Sequence, residues 1–410
     1  MISLLPKSQS ISDKIMDLLT MLLYVSFVIL SNDSMGVIYM VVIILLIYFI
    51  HASKHGSFIP KHYCIFHKYM LLIALFCMLS VIWAERGEYA IEKGITLLEL
   101  LLAFTLLYET YYKCDIKRLL TIVMWSGFLL SIYTIFFVGI ENLQDTIDSG
   151  ERLENSFANV NVIGMICSTS ILLCYFFWKI NKNIVDVVMC LPCLLVVAGS
   201  GSRKALVMLI IGLLVLSFFN PSVRSHGVTR ILKLLFSILS LFLVVFLVAK
   251  SGVFGGTMDR MDGLVASLTG KGEEDSSSII RSYFRMIGFR QFFETPLLGI
   301  GMGNGRLLAF EYTGRDCYLH CNYAEVAANG GVVGLSLVYW IYVKLIRSEL
   351  RVLRTDPYAL IILLFIILNL ILDYGKVSYY SKDTYFMIMI FCIHYESLKQ
   401  NDFHFLKNRR

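Results

Sequence analysis

Hydrophobic residues run through this chain in blocks too long and too uniform for the two-residue or 3.6-residue alternation of a soluble fold. Stretches of roughly 17–25 residues, the length a helix needs to cross a hydrocarbon core, can be read at about 15–33, 35–52, 68–85, 91–109, 117–140, 157–178, 184–200, 204–220, 230–250, 323–346, 358–374 and 382–399. The pattern predicts an all-α integral membrane protein with about 12 transmembrane helices. The fourth stretch is the least apolar, because Glu92, Glu99 and Glu109 interrupt it. Only one polar segment between spans is long, Lys250 to Asn322. The expected organisation is therefore helices one to nine over 1–249, a catalytic loop over 250–322, and helices ten to twelve with a tail over 323–410.

Lysine and arginine set the orientation, since short cytoplasmic loops carry their excess. Alternate loops are basic: Lys54, Lys61 and Lys68; Lys113, Lys117 and Arg118; Lys179 and Lys182; Arg224, Arg230 and Lys233; Lys344, Arg347, Arg351 and Arg354; and finally Lys399, Lys407, Arg409 and Arg410. The intervening loops are poor in basic residues or acidic, most clearly Glu141 to Glu154 with its single Arg152. Both termini are expected in the cytoplasm. The segment 250–322, the loop with Arg152 and the turn GSGSRK at 199–204 then share the extracytoplasmic face. No ATP is available there, so a group transfer on that face needs an activated donor.

Composition agrees. The chain of 410 residues is 57% hydrophobic and 16% charged, against about 25% charged in soluble domains, and its mean hydropathy is +0.72. The net charge of +6 mostly reflects the basic loops, so it gives no support to a nucleic-acid partner. The stretch before Ile15 leads into a span with no small-residue cleavage site behind it, and that span is expected to remain as an anchor. Most of the ten cysteines lie inside apolar runs, where thiols act as small apolar side chains rather than a disulfide framework.

Four polar features stand out. RSYFRMIGFRQFFETP at 281–296 reads as a short helix ending before Pro296, with Arg281 and Arg285 four apart on one face. Like charges at that spacing destabilise an isolated helix by about 0.2–0.5 kcal/mol, so an anion between them is one resolution; arginines of an interfacial helix meeting lipid headgroups is the other. GSGSRKAL at 199–206 sets Arg203 at the mouth of a helix, where backbone N–H groups suit phosphate, although a simple loop turn explains the glycines too. PLLGIGMGNG at 296–305 fits no nucleotide-binding glycine pattern and reads as a tight turn passing close to a ligand or a neighbouring span.

The fourth feature is His320, just before the run YAEVAANGGVVG, with Asn322 and Glu325 nearby. A histidine at the wet end of a helix can serve as a general base, or as a structural hydrogen-bonding group. Cys317 and Cys321 flank it, but no second His/Cys cluster completes a metal site. CLPC at 190–193 has redox spacing yet lies within a span, so packing is its expected role. Gly330 and Gly334 form a small-xxx-small helix contact.

Taken together, RLENSFANVNVIG at 152–164, GSGSRKAL at 199–206, Arg281 followed fifteen residues later by PLLGIGMGN, and HCNYAEVAANGGVVGL at 320–335 resemble, in order and topology, the O-antigen ligase and polysaccharide polymerase family of bacterial surface-glycan assembly. The resemblance covers roughly the C-terminal two thirds. It departs from the family where Cys321 separates His320 from Asn322, and where Arg285 stands in place of an aromatic residue. It implies a GT-C-like glycosyltransferase of the bacterial cytoplasmic membrane that takes undecaprenyl-diphosphate-linked oligosaccharides, without nucleotide sugar, metal or other cofactor. Polymerases join lipid-linked repeat units into O-antigen, capsular or exopolysaccharide; ligases pass finished glycan to a lipid A core. The lipid bilayer and other polysaccharide export proteins are the expected partners.

On this reading Arg203 and Arg281 take the diphosphate, with Arg285 and Arg152 in support, because fixed cations stabilise charge developing on the leaving oxygens. Inversion at the anomeric carbon needs a base, and His320 is the first choice, with Glu325 and Asp373 in reserve. Asn322 and Glu325 are counted with Arg152 and Arg285 as substrate-binding. Polymerase is preferred over ligase from general likeness to capsule and exopolysaccharide polymerases, including the outer segment DYGKVSYYSKD at 373–383. A flippase for the same lipid-linked sugars is the competing class, but it needs no outer loop of this size, and charges lining a path would recur within several spans.

Overall fold

The computed structural model describes residues 10–31, 34–149, 158–219 and 276–407. Every regular element among them is helical, with no strand. In chain order these are α1 (Ile11–Ile29), α2 (Ser34–His55), α3 (Ile65–Leu79, prolonged by a 3-10 turn, Ser80–Ile82), α4 (Gly87–Tyr111), α5 (Ile116–Val138), α6 (Ile140–Ser149), α7 (Val160–Asn181), α8 (Ile184–Val188), α9 (Cys190–Ser200) and α10 (Arg203–Phe218). After the undescribed stretch come α11 (Ser276–Glu294), α12 (Gly305–Thr313), α13 (Asn322–Val352), α14 (Pro357–Leu372) and α15 (Lys382–Lys407). Helix covers each predicted apolar stretch on these residues; the stretch 230–250 and Arg152 lie outside them.

Among the described residues, five helices are long and apolar enough to cross a membrane: Met35–His55, Ile65–Ile82, Ile116–Val138, Val160–Asn181 and Asn322–Val352. Ile184–Ser200 and Pro357–Leu372 are shorter apolar helices. The chain is an integral membrane protein. Its centre is α7, packed on α5, α9 and α10, with most of its length buried. Small residues let these helices close up: a Cβ on Gly127 would meet Ser170 at 2.5 Å, and one on Gly212 would meet Leu172 at 2.4 Å. Such close approach drives helix association where the solvent is already apolar.

Two of the acidic residues that weakened α4 as a span, Glu92 and Glu109, have partners. Glu109 accepts the amides of Lys61 and His62 at 3.0 and 2.9 Å and meets His62 Nδ1 at 2.8 Å, pinning the loop between α2 and α3. At the same end Arg118 bridges to Asp17, with Nε at 2.8 Å from Oδ2, and Tyr111 donates to Asp17 at 3.2 Å. Asp356 caps α14 by accepting the Tyr358 amide at 2.8 Å, and His394 lies between Glu349 and Asp356 at 3.0 and 3.1 Å. This end holds the basic loops. The candidate site lies at the other.

One helix is broken, and the break decides how the far end is built. Within α13, Gly331 adopts φ 59°, ψ −155°, a region only glycine enters at low cost. The turn 296–304 repairs the lost hydrogen bonds. Ile300 and Gly301 donate to the carbonyls of Ala328 and Asn329 at 3.0 Å each, while Val332 and Val333 donate to those of Pro296 and Leu297 at 2.8 and 3.2 Å. The glycine turn thus does what its composition predicted, passing against a neighbouring helix: a Cβ on Gly299 would fall 2.4 Å from the Asn329 carbonyl carbon. Irregular backbone next to a membrane span is tolerated where protein satisfies it in this way.

Candidate active site

The arginine helix α11 settles on the first turns of α13. Phe284, Ile287 and Gly288 face inward, and Phe284 and Ile287 form a small core with Ala309, Leu319 and Ala328. At Gly288 the helices touch so closely that a Cβ would sit 2.9 Å from Leu319 Cδ1 and 3.0 Å from Ala324 Cβ. Tyr283, Met286, Phe289 and Phe293 point away and are exposed, as an interfacial helix requires. α11 therefore packs on protein along one stripe and shows aromatic residues to its surroundings.

Arg281 and Arg285 border the packed stripe and go to different places. Arg281 lines a cleft of about 360 Å³ together with Phe284, Arg315, Cys317 and His320. Arg285 instead stands over the Tyr374 ring, 4.6 Å from its centroid, a cation–π contact that ties α11 to the segment after α14. Arg290, third in the series, is exposed and paired with Glu294 at 3.3 Å.

His320 is held in an uncommon conformation. Its φ is +58°, the left-handed region that costs a non-glycine residue roughly 1–3 kcal/mol and persists only where the surroundings impose it. The chain is fixed on both sides. One residue before, the Leu319 amide donates to Glu325 Oε2 at 2.8 Å. Two residues after, the Asn322 amide donates to the carbonyls of Asp373 and Lys376 at 2.7 and 2.9 Å. The imidazole is stacked at 5.9 Å on Phe284 and lies 4.4 Å from the Tyr318 ring. Burial first, then the positive charges of Arg281 and Lys204, pull its pKa down to about 4. At neutral pH the ring is uncharged, with a lone pair available.

Asn322 and Glu325 lie behind this cleft, not in it. Asn322 is fully buried; its Nδ2 donates to Tyr339 Oη at 2.8 Å and Asp373 Oδ2 at 3.2 Å, and its Oδ1 accepts the amides of Ser378 and Tyr379 at 2.9 and 3.1 Å. All four hydrogen-bonding positions of that amide are engaged. Glu325 is equally occupied, with Oε2 on Leu319 and Oε1 accepting from Asn329 at 3.0 Å. Asp373, buried to 1% exposure, is a partner of Asn322 and Tyr339. These groups hold the loop on which His320 is carried.

Arg203 begins α10, capped by Ser202, whose hydroxyl accepts the Ala205 amide at 3.4 Å. It is not among the residues lining the cleft. Its neighbour Lys204 is the residue whose charge reaches His320, and the Lys204 side chain lies against Gly375, with Cε 3.1 Å from where a Cβ would be. Lys204 was legible as the second cation of GSGSRKAL and was passed over for the one at the helix mouth. Arg315, which lines the cleft, was missed because nothing around it in the sequence sets it apart.

The motifs that are far apart in sequence meet here. A Cβ on Gly164, from the NVNVIG stretch, would touch Ser200 Oγ at 2.8 Å and Ala205 Cβ at 3.0 Å, and Ser168 donates to the Ala205 carbonyl at 3.0 Å. The turn at 199–206 in turn carries Lys204 to Gly375, next to the segment that Asn322 binds. The resulting site combines fixed cations, a neutral imidazole and no cluster of metal-binding side chains among the described residues. Residues 188–339 match the family model described as O-antigen ligase. That stretch includes Lys204, Arg281, Arg315, His320 and Glu325, and over it the chain is similar to the O-antigen ligase family. No curated protein matches the chain.

Proposed function

We propose that this chain, which carries an O-antigen ligase family domain over residues 188–339, transfers glycan from a polyprenyl diphosphate, and that it does so as a polymerase of lipid-linked repeat units. The observation that carries the reading is the seating of His320: a strained, neutral imidazole in one cleft with Arg281 and Arg315. The arginines receive the diphosphate, and Lys204 adds its charge from α10. Charge builds on the diphosphate as the anomeric C–O bond breaks, and cations fixed before the reaction stabilise it without reorganisation. His320 accepts the proton of the acceptor hydroxyl as its oxygen attacks the anomeric carbon from the opposite face, giving inversion. The family-model match over residues 188–339 and the cleft support the class of reaction; the repeat-unit acceptor rests on likeness to capsule and exopolysaccharide polymerases and on the 373–383 segment, whose Tyr374 receives Arg285.

The positive-inside pattern supports an extracytoplasmic position for this end of the bundle, where lipid-linked donors are the activated glycans. Glu325 and Asn322 are positioning residues in this scheme, and Arg285 orders α11 against Tyr374. Arg203, given to the diphosphate by its motif, and Arg152, in support of it, keep those proposed roles.

The test is the lipid-linked pool of a strain lacking the gene. A polymerase leaves single repeats on the lipid, whereas long, unattached chains there would mean a ligase. Purified protein given lipid-linked repeats, without nucleotide sugar or metal, should build a glycan ladder; no elongation and no transfer to a lipid A core under those conditions would refute the transferase reading.

A further inference from the structure

A second cleft opens beside the first, and the wall between them is thin. It has a volume of about 280 Å³ and is lined by Glu92 and Lys93 of α4, Arg306 of α12, Asp316 and Tyr318 of the loop before α13, and Tyr380. Cys317 lines both clefts. Tyr318 does the same work with its ring, lining the second cleft while standing 4.4 Å from His320 in the first. Nothing in the transfer scheme above uses Glu92, Arg306, Asp316 or Tyr380.

The two clefts differ in charge. Among the described residues, the lining of the first includes Arg281 and Arg315 and no carboxylate. The second balances its charges internally: Arg306 forks onto Asp316 at 2.6 and 2.7 Å and reaches Glu92 at 3.2 Å, and Lys93 meets Glu92 at 2.9 Å. Two cations face two carboxylates, so the cleft has no attraction for an anion. Its carboxylates are about half-exposed, Glu92 51% and Asp316 48%, leaving lone pairs that accept from hydroxyls. Its rings are Tyr318 and Tyr380, and Lys93 stands 4.3 Å over that of Tyr380. Held carboxylates, cationic donors and flat rings are what a neutral ligand with many hydroxyls and apolar C–H faces requires.

We infer that this second cleft is a saccharide subsite, which takes a neutral sugar residue of the substrate while the cationic cleft takes the diphosphate. The inference rests on the transferase reading and names where the glycan lies relative to His320. A sugar here is one aromatic ring away from the base, since Tyr318 lines this cleft and stands 4.4 Å from His320. The sugar comes either from the acceptor or from the donor, and the chemistry of the cleft is the same for both.

The experiment uses the full-length protein in nanodiscs and two probes: the repeat-unit oligosaccharide released by mild acid from the lipid-linked pool of a strain lacking the gene, and undecaprenyl diphosphate. Tyr380→Ala and Glu92→Gln should each weaken oligosaccharide binding at least tenfold and leave undecaprenyl diphosphate affinity within twofold of wild type, while Arg281→Ala does the reverse. Glu92 is half-exposed, so its variant decides the matter if Tyr380→Ala fails to fold. In the elongation assay, a raised KM for the acceptor at unchanged donor KM assigns the sugar to the acceptor, and the converse to the donor; both support the subsite. Wild-type oligosaccharide affinity in Glu92→Gln and in folded Tyr380→Ala, or no oligosaccharide binding by wild type, overturns the subsite and leaves the transferase reading standing. A wild-type protein that binds no undecaprenyl diphosphate overturns both.

Discussion

Glu325 accepts the Leu319 amide at 2.8 Å, one residue before His320, so this buried carboxylate acts on the histidine through the backbone and not on a ligand. Its other oxygen holds Asn329, whose side chain receives the Gly305 amide at the start of α12. One side chain therefore fixes both the loop bearing His320 and the start of the helix bearing Arg306.

Replacing Glu325 by Gln tests this positioning role. A glutamine offers one acceptor oxygen where the carboxylate offers two, so either Leu319 or Asn329 loses its partner, a loss of about 1–3 kcal/mol for a buried group. Turnover should fall about tenfold or more, equivalent to about 1.4 kcal/mol in the barrier, while undecaprenyl diphosphate affinity stays within twofold. A matching loss of affinity would instead make Glu325 a direct ligand.

His320 carries two separable properties, its imidazole and its backbone conformation. Asparagine tolerates positive φ, whereas other side chains cost roughly 1–2 kcal/mol there. His320→Asn is thus expected to keep its unfolding midpoint and lose elongation, and His320→Ala to lose elongation with a lower midpoint as well. Near-normal turnover by His320→Asn would move the proton acceptor elsewhere.

Arg281 and Arg290 lie on the same helix and make a controlled pair. Arg281 lines the cleft, and loss of one fixed donor to developing charge typically costs about 10²–10³ in rate. Arg290 has a surface partner only, Glu294, and exposed pairs contribute about 0–1 kcal/mol. Elongation by Arg281→Ala should fall at least about a hundredfold, and that by Arg290→Ala should stay within about twofold. Equal effects would leave the cleft without its assigned role.

The acid limb of the rate reports His320. With its pKa near 4 in the free protein, against about 6.5 for an ordinary histidine, the base is neutral at higher pH and is lost as pH falls through about 4. That limb belongs to kcat/KM. A bound diphosphate brings negative charge that offsets Arg281 and Lys204, so the limb in kcat should lie at higher pH. Lys204→Gln removes one of the two named cations and should raise the kcat/KM limb. An unmoved limb in that variant would mean that another group titrates.

How much of this was legible follows from which forces act locally. Span positions could be read because a helix in lipid must be apolar along its whole length, and α5, α7 and α14 begin within a few residues of the expected points. Arg281 and His320 could be read because polar residues beside spans are costly unless used. The second cleft could not: Glu92 and Lys93 come from α4, Arg306 from α12 and Tyr380 from the segment before α15, and each alone looks like an ordinary surface residue. Arg203 and Lys204 could not be ranked from the sequence for a related reason. Adjacent residues on a helix point about 100° apart, and only the packing of α10 against Gly375 selects between them.

The break in α13 gives the sharpest test of how the far end is held. Gly331 and Gly334 both belong to GGVVG, where the spacing pairs Gly334 with Gly330 as a helix contact and gives Gly331 no role of its own. Structure separates them. A Cβ on Gly334 would lie 3.4 Å from Phe76 and 3.5 Å from the Val326 carbonyl, which is ordinary packing, whereas on Gly331 it would fall 2.5 Å from the Leu297 carbonyl in a backbone conformation with φ 59°. Gly334→Ala should change stability by no more than about 0.5 kcal/mol. Gly331→Ala should lose about 1–3 kcal/mol from backbone strain alone, and more as Leu297 is pushed away and the amides of Val332 and Val333 leave their partners on the 296–304 turn. Because that turn leads directly into α12 and Arg306, the variant should also lose oligosaccharide binding before undecaprenyl diphosphate binding. Unfolding midpoints in detergent for the two variants check the first expectation, and the two ligand titrations check the second. Indistinguishable midpoints would mean that α13 can straighten without cost, and the break would then have no part in building the site.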